Sequence, residues 1–431
     1  MTLALDQLHG SLSAPLLDAM TFLNEVTARY PDAVSFAPGR PHEEHFDPAA
    51  IPRHLERYLR HLREDRGMGE DEVRRELFQY GRTKGLIGEL IARTLAADEG
   101  LDVDPEALVV TVGAQEGMLL VLRALCAGPE DVLLVAAPCY VGVTGAARLL
   151  DLTVRPVPEA PGGGGLDPEA LAAAARQARA EGLRPRACYL VPDFANPSGA
   201  SLPVEARKRL LAVAEEHDLL LVEDNPYGFF RRGGTPVRPT LKALDGDRRR
   251  VVHLGSFAKT CFPGARVGYV VADQRVDRGG GRAGLLADEL AKLKSMTTVN
   301  TPALSQAVIG GMLLEADRGL RAATAGAAEF YARNLDTLLA ELERRFPPGS
   351  PVGWNAPDGG YFAVLTVPFD ADEKALDRCA REYGVLWTPM APFYPQGGGE
   401  RSLRLSCSYL TEARIVDGVG RLAAFVDGAS R

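Results

Sequence analysis

One lysine, Lys259, stands alone in a stretch of small and apolar residues that runs from 255 to 269. The stretch lies between two apolar runs, at 251–252 and 267–272, which are typical of buried strands. Burial removes water from an ammonium group, so its pKa falls and the neutral amine becomes a nucleophile. Such an amine forms a Schiff base with an aldehyde. The alternative is a lysine on an exposed loop, because short motifs also occur by chance.

Two residues near Lys259 carry groups that bind anions. Arg266, seven positions later, offers a two-pronged set of N–H donors, and Ser256, three positions earlier, offers a hydroxyl. An amine that captures an aldehyde and a pair of side chains that hold a phosphate are what pyridoxal 5′-phosphate requires. The stretch therefore indicates a site for this cofactor.

Composition excludes several other classes of protein. The net charge of −8 argues against a general affinity for nucleic acid or for anionic membranes. No apolar run reaches the roughly 18 residues of a membrane span, and the first residues do not form a signal peptide. The six cysteines are scattered without a Cys-x-x-Cys pair, which favours a reducing cytoplasm over a disulfide or zinc framework. His42 and His45 lack the helical spacing of a zinc site, so no metal is expected.

Strands and helices alternate from residue 107 to residue 272. Apolar runs at 107–112, 131–136, 187–191 and 219–223 predict further strands, each followed by a helical pattern or a loop. This alternation predicts the α/β class, with a mostly parallel sheet whose ligands bind beyond the carboxyl ends of the strands. The chemically notable residues fall at those ends: Gly113, Gln115, Tyr140, Asn196, Asp224, Tyr227, Ser256 and Lys259.

The 431 residues exceed one ordinary core, so more than one domain is expected. A helix is predicted around 16–30, before an extended loop at 35–41. After about residue 305 the alternation stops, and short strands such as 361–366 predict a smaller α+β domain. We expect an N-terminal segment (1–50) that packs with the small domain, a large cofactor-binding domain (51–304) and a small C-terminal domain (305–431).

Taken together, the motifs resemble those of the fold-type I pyridoxal-phosphate enzymes, specifically the class I/II aminotransferases of the aminoadipate, kynurenine and aromatic subgroup. The resemblance extends from the segment Ser-Phe-Ala-Pro-Gly-Arg-Pro at 35–41 to Arg404. It implies a seven-stranded, mostly parallel sheet in the large domain and a homodimer with shared active sites. It also implies transfer of an amino group between an amino acid and a 2-oxo acid. Phe194 beside Asn196 is similar to the arylglycine transaminases, for hydroxyphenylglycine or dihydroxyphenylglycine, of peptide-antibiotic pathways. The resemblance also implies that Phe194 and the loop of Arg82 lie near the substrate side chain.

The resemblance also implies a role for each residue near the cofactor ring. Lys259 would hold the cofactor and then move the proton at the substrate Cα. Asp224 would pair with the pyridine nitrogen and keep it protonated. Tyr227 and Asn196 would hydrogen-bond the ring oxygen, and Tyr140 would stack on the ring face.

The phosphate and the substrate are assigned in the same way. Arg404 would clamp the substrate carboxylate through two hydrogen bonds, with Gly39 and Asn196 beside it. Tyr80 would reach across a dimer interface into the site of the partner subunit. The residues expected to cradle the phosphate are Gly113, Ala114, Gln115, Ser256 and Arg266.

Some features leave alternatives open. Ala114 stands where relatives often have a hydroxyl residue, and Arg82 replaces a usual proline. Taken singly, Asp224 and Asn196 could belong to turns, Tyr140 to the core, and Arg404 to a solvated strand face. A lyase, a decarboxylase or an oxidative deaminase of the same fold needs the same lysine and aspartate. A transcription regulator that uses the fold as a sensing domain is disfavoured, because the pattern of the fold begins by residue 35.

Overall fold

The structure is a computed structural model that describes residues 2–14, 25–160, 162–317 and 319–429. Its strands are β1 (Val34–Ser35), β2 (Leu108–Thr111), β3 (Asp131–Ala137), β4 (Thr153–Pro158), β5 (Arg184–Leu190), β6 (Leu220–Asp224), β7 (Val251–Ser256), β8 (Gly268–Val271), β9 (Arg275–Asp277), β10 (Ala283–Leu285), β11 (Gly353–Trp354), β12 (Phe362–Thr366), β13 (Val385–Leu386), β14 (Thr388–Pro389) and β15 (Ser402–Ser406).

Its α-helices are α1 (Ala50–Arg60), α2 (Glu70–Phe78), α3 (Gly88–Glu99), α4 (Gly113–Leu125), α5 (Val141–Leu149), α6 (Pro168–Ala180), α7 (Val204–Glu216), α8 (Leu241–Asp245), α9 (Leu286–Ser295), α10 (Ala303–Glu315), α11 (Leu320–Ala323), α12 (Ala325–Arg345), α13 (Glu373–Tyr383) and α14 (Glu412–Ala429). Of the helix predicted at 16–30, residues 25–29 are helical, and the prediction for 16–24 lies outside the described residues. In the part of the chain that the structure describes, no helix is long and apolar enough to cross a membrane.

The main sheet has seven strands in the order β2-β8-β7-β6-β5-β3-β4. The pairs β3–β4, β3–β5, β5–β6 and β6–β7 are parallel, whereas β8 runs antiparallel to both of its neighbours. The α/β class and the mostly parallel, seven-stranded sheet are thereby confirmed. The edge strand β4 was not predicted, because it contains Pro156 and Pro158 and is only partly buried.

The central strands are almost fully buried, as expected for a sheet covered by helices on both faces. One apolar core packs α4, α5 and α9 against the sheet, and a second packs α6, α7 and α8 against the other face. Strands β2, β3, β5, β6 and β7 run in the same direction, so their carboxyl ends share one edge. Most of the predicted site residues follow these ends, whereas Gly39 follows β1, Tyr80 follows α2 and Arg404 lies in β15.

A second sheet, in the order β11-β12-β15-β14, is antiparallel. Strand β1 lies apart from it and pairs in parallel with β13, with Val34 opposite Val385. The side chains of Val34 and Phe36 belong to the same apolar core as this sheet, α12, α13 and α14. The early chain is thus attached to the C-terminal region, while the division at residues 50 and 304 stays a prediction.

Candidate active site

A cavity of about 470 Å³ opens at the carboxyl edge of the main sheet. Its wall comes from distant parts of the chain: the loop after β1, the start of α4, the ends of β5, β6 and β7, and strand β15. The predicted residues that line it are Gly39, Ala114, Gln115, Tyr140, Asn196, Asp224, Tyr227, Ser256, Lys259, Arg266 and Arg404.

Lys259 lies in the loop after β7, half-buried at the cavity wall. Its Nζ donates a hydrogen bond to the carbonyl oxygen of Gly39 at 2.8 Å. Burial lowers the pKa of the Lys259 ammonium to about 8, and the charges of Arg404 and Arg266 act in the same direction. An appreciable fraction of this amine is therefore neutral near pH 8, which is the state that attacks an aldehyde. The exposed-loop alternative for Lys259 is excluded.

Asp224 ends β6 with its side chain buried at the cavity. The Tyr189 hydroxyl donates to its Oδ2 at 2.7 Å, whereas Oδ1 is buried without a hydrogen-bond partner among the described residues. Burial raises the pKa of the Asp224 carboxyl to about 6. A buried acceptor oxygen of this kind fits a protonated ring nitrogen, which would supply the missing donor and the opposite charge.

The start of α4 forms a concave backbone surface against Arg266. Gly113 has a φ of +71°, and a Cβ on it would lie 2.6 Å from Arg266 Nη2. A Cβ on Gly268 would lie 2.6 Å from the Ala114 nitrogen, so both positions require glycine. The free N–H groups of a helix start, together with an arginine, fit a phosphate. Ser256 lies at the same wall, with its Oγ accepting from the Ala258 nitrogen at 3.2 Å.

Tyr140 and Gln115 hold each other at one side of the cavity. The Tyr140 hydroxyl donates to Gln115 Oε1 at 3.3 Å, and Gln115 Nε2 donates to the carbonyl oxygen of Gly142 at 3.2 Å. A Cβ on Gly142 would lie 2.2 Å from the Tyr140 ring, so glycine is needed there. Gly142 was missed from the sequence, since a glycine inside a helical pattern gives no sign of a nearby ring.

Arg404 is only 4% exposed, which excludes the solvated strand face considered for it. Its Nη1 donates to Asn196 Oδ1 at 2.5 Å, and its Nη2 donates to the Ala37 carbonyl at 2.8 Å and to Thr388 Oγ1 at 3.2 Å. Nε has no partner among the described residues. Burial lowers the pKa of the Arg404 guanidinium to about 10, so it stays a cation at neutral pH. A buried cation with an unused donor at a cavity can bind a carboxylate.

Asn196 and Tyr227 lie together beside this arginine at the cavity wall. Burial raises the pKa of the Tyr227 hydroxyl, which remains a protonated donor at neutral pH. The two side chains thus lie together, with a protonated donor and an amide at the same cavity, while their bonds to the ring oxygen stay a prediction.

Three other residues singled out in the sequence, Tyr80, Arg82 and Phe194, do not line the cavity. Tyr80 is 85% exposed and does not line the cavity of the single chain, so its role across an interface stays a prediction. Arg82 pairs with Glu106 at 2.8 Å on the surface. The expectation that Phe194 lies beside the substrate side chain is wrong: Phe194 is 1% exposed and packs in an aromatic core. Its position next to Asn196 in the chain was misleading, because at a φ of +51° its side chain lies against Gly360.

Sequence reasoning also missed several residues of the cavity wall. Those that line it without having been predicted include Thr27, Arg40, Met118, Val141, Tyr189, Val191 and Phe393. Most are apolar residues without a motif, so periodicity alone cannot separate them from the core.

Comparison with known proteins agrees with this geometry. A family model described as aminotransferase class I and II matches residues 62–422. The (S)-3,5-dihydroxyphenylglycine transaminase of Amycolatopsis orientalis is 52% identical over 429 residues, which are 100% of this chain and 96% of that protein.

Two solved structures cover nearly the whole chain. The kynurenine aminotransferase of Pyrococcus horikoshii, in complex with PMP, has a TM-score of 0.80 at 28% identity and covers 97% of this chain and 95% of that one. The alpha-aminoadipate aminotransferase of Thermus thermophilus, complexed with N-(5′-phosphopyridoxyl)-L-leucine, has a TM-score of 0.77 at 30% identity, covering 98% and 99%. The predicted cofactor, pyridoxal 5′-phosphate, is confirmed. The chain belongs to the class I and II aminotransferases, transaminases of fold type I that use pyridoxal 5′-phosphate on amino and 2-oxo acids.

Proposed function

We propose that this aminotransferase acts on aromatic amino acids of the arylglycine type, in which a phenyl ring is attached directly to Cα. The observation that carries the proposal is the apolar wall beside the carboxylate anchor. The Arg404 guanidinium carbon lies 5.2 Å from the centre of the Phe393 ring and 4.4 Å from that of Phe362. Phe393 packs with Val141 and Met390, and both Phe393 and Val141 line the cavity. A substrate held by its carboxylate thus has its Cα substituent next to apolar side chains.

The identity with the dihydroxyphenylglycine transaminase supports the same substrate class, since it extends over the full chain. It also favours a place in the synthesis of a peptide antibiotic. Aromatic substrates with a CH₂ between ring and Cα, such as phenylalanine, are the second class that an apolar wall accommodates.

The proposed mechanism gives each site residue one task. When bound, the cofactor withdraws electrons from Cα of the amino acid and so acidifies the Cα proton. Lys259 Nζ takes this proton, and its pKa of about 8 suits a base that works near neutral pH. Asp224 would keep the ring nitrogen protonated, and Arg404 would orient the substrate through its carboxylate. Asn196 and Tyr227 would hold the ring oxygen.

The remaining cofactor contacts follow from the walls of the cavity. Tyr140, held in place by Gln115, would cover the ring face. The start of α4 at Gly113 and Ala114, together with Ser256 and Arg266, would hold the phosphate. Ala114 has no hydroxyl to offer, so the backbone and Arg266 would supply most of the contacts.

We further propose a homodimer with shared sites. Apolar side chains are exposed on two neighbouring segments, Phe78 and Tyr80 on one and Met296 and Leu304 on the other. The segments touch where Asn300 Nδ2 donates to the Gly81 carbonyl. Such a patch favours contact with a second copy, in which Tyr80 reaches the site of the partner subunit. Co-expression of Lys259→Ala with Tyr80→Ala chains should then restore activity through mixed dimers, and dimers that stay inactive would exclude sharing.

All six cysteines are buried and unpaired, which supports a cytoplasmic location.

A substrate panel tests the substrate proposal. The holoenzyme is mixed with phenylglycine, 4-hydroxyphenylglycine, 3,5-dihydroxyphenylglycine, phenylalanine, tyrosine, aspartate and alanine, and single-turnover loss of the pyridoxal form is followed. Arylglycines should react fastest and yield the 2-oxo acid with all carbons retained. Faster reaction of aspartate and alanine would refute the aromatic proposal. Release of CO₂, or consumption of O₂, would instead identify a decarboxylase or an oxidative deaminase.

A further inference from the structure

We propose that the buried ion pair between Glu116 and Lys294 is a positioning device for the phosphate end of the cofactor. The proposal rests on the proposed function in one respect, namely that the phosphate lies at the start of α4. Neither side chain lines the cavity, and both lie behind the backbone that does.

Glu116 lies in the first turn of α4 and reaches back to the residue before the helix. Its Oε2 accepts the Val112 N–H at 2.7 Å and the Lys294 Nζ at 2.8 Å. Its Oε1 accepts the Thr298 hydroxyl at 2.6 Å, and Lys294 Nζ also donates to Thr298 Oγ1 at 2.8 Å. The Lys294 side chain is fully buried and that of Glu116 is 9% exposed. These bonds fix the turn at Gly113 and Ala114, of which Ala114 lines the cavity.

The lysine is itself held firmly. Its carbonyl oxygen accepts the N–H groups of Thr297, Thr298 and Val299 at 3.0–3.1 Å. Val299 has a φ of +65°, which is costly for a β-branched residue and persists only where surrounding contacts enforce it. Lys294 is therefore a fixed charge at the end of α9, not a mobile surface lysine.

The sign of the charges gives the pair its function. A carboxylate in the first turn of a helix is stabilised by the helix dipole, but it repels a phosphate bound at the same helix start. Lys294 neutralises Glu116, so the N–H groups of the cradle remain available to the dianion. Removing Lys294 alone leaves an uncompensated carboxylate beside the phosphate. Removing both charges restores neutrality, and a glutamine at position 116 still accepts the Val112 N–H.

The test compares the affinity of the apoenzyme for pyridoxal 5′-phosphate with that for pyridoxal, which lacks the phosphate. Equilibrium dialysis gives both dissociation constants, so the readout does not depend on activity. Lys294→Met should weaken pyridoxal 5′-phosphate binding about 5- to 30-fold, the range for a charge at a partly buried helix terminus, and leave pyridoxal binding within about twofold. The double variant Glu116→Gln/Lys294→Met should recover most of the loss.

Lys242→Met is the matched control. Lys242 is also buried, at 7% exposed against 0% for Lys294, and pairs with Asp273 at 2.7 Å, away from the cavity. It should lower the melting temperature without changing the ratio of the two affinities. Equal weakening of both ligands by Lys294→Met would show a merely structural pair and overturn the proposal, as would a double variant no better than the single one.

A further variant separates this proposal from the assignment of the phosphate itself. Arg266→Lys should weaken pyridoxal 5′-phosphate selectively, because Arg266 faces the phosphate directly. If Arg266→Lys changes neither dissociation constant, the phosphate has been assigned to the wrong part of the cavity. If it weakens binding and Lys294→Met does not, only the positioning role of the pair is wrong.

Discussion

Replacing Arg404 with lysine tests the carboxylate anchor, because it keeps the charge and removes the planar fork. The guanidinium has five N–H donors, and three of them already bind Asn196, Ala37 and Thr388. The donors that remain, including Nε, are available to a substrate carboxylate. A lysine has three donors on one nitrogen and a shorter reach, so it cannot make the protein bonds and bind a carboxylate at once.

The expected loss is that of one charge-assisted hydrogen bond, about 1.5–3 kcal/mol. At about 1.4 kcal/mol per factor of ten, kcat/KM for an amino acid should fall about 10- to 150-fold. Phenylglycine and benzylamine form a matched pair for the assay, since benzylamine is phenylglycine without its carboxylate. Single-turnover rates of Arg404→Lys should fall for phenylglycine and stay near the parent value for benzylamine.

Two controls show whether a loss of rate in Arg404→Lys comes from the carboxylate contact. Arg421→Lys replaces an exposed arginine of α14 that pairs with Asp417, and it should change neither rate. Cofactor affinity, measured by dialysis, should be unchanged in Arg404→Lys. An equal loss for both substrates would mean that Arg404 holds the cavity wall and not the carboxylate. No loss for either would exclude the anchor altogether.

The other predictions concern the groups around the cofactor. Lys259→Ala should lose cofactor fixation by borohydride, as read by peptide mass spectrometry, and turnover should fall at least about 100-fold; near-normal turnover would contradict the assignment. Asp224→Ala should slow single-turnover loss of the Cα proton far more than it weakens cofactor binding, and equal single-turnover rates would reduce Asp224 to a turn residue. The rate at which the apoenzyme captures pyridoxal 5′-phosphate should rise with pH through about 8, since Lys259 is neutral above that pKa. A rate that does not change with pH would exclude Lys259 as the group whose deprotonation limits capture.

The sequence predicted those parts of the fold in which local pattern and burial agree. Strands β2, β3 and β5 to β8 are apolar runs buried on both faces, and they were found to within a few residues. Strand β4 was missed because an edge strand with two prolines follows no such pattern. The pairing of β1 with β13 joins segments about 350 positions apart in the sequence, and nothing local in residues 34–35 signals it.

The site was predictable for a related reason. Parallel strands bring their carboxyl ends to one edge, so the residues after each strand converge even though they lie far apart in the chain. This rule predicted that Asp224, Asn196 and Lys259 converge, and all three line the cavity. It cannot state which way a side chain points, and Phe194 shows the consequence, since it follows a strand end yet faces the core. The pair of Glu116 with Lys294 was also beyond the sequence, because the partners meet only after α9 packs on α4.

Burial of Asp224 and Lys259 at the cavity lowers the stability of the chain without its cofactor. Burial raises the pKa of Asp224 to about 6 and lowers that of Lys259 to about 8. A carboxyl whose pKa is raised on folding lowers the free energy of unfolding at any pH above its pKa in the unfolded chain, and for Asp224 the loss is complete above about pH 6. A lysine whose pKa is lowered on folding lowers the free energy of unfolding below its pKa in the unfolded chain, and for Lys259 the loss is complete below about pH 8. Both costs are therefore complete between about pH 6 and 8. A bound cofactor would place a cation beside Asp224 and would engage Lys259 through its neutral amine, so it would offset both costs. The rise in melting temperature on cofactor binding should be largest in this window and smaller in Asp224→Asn, and a rise independent of pH would refute the argument.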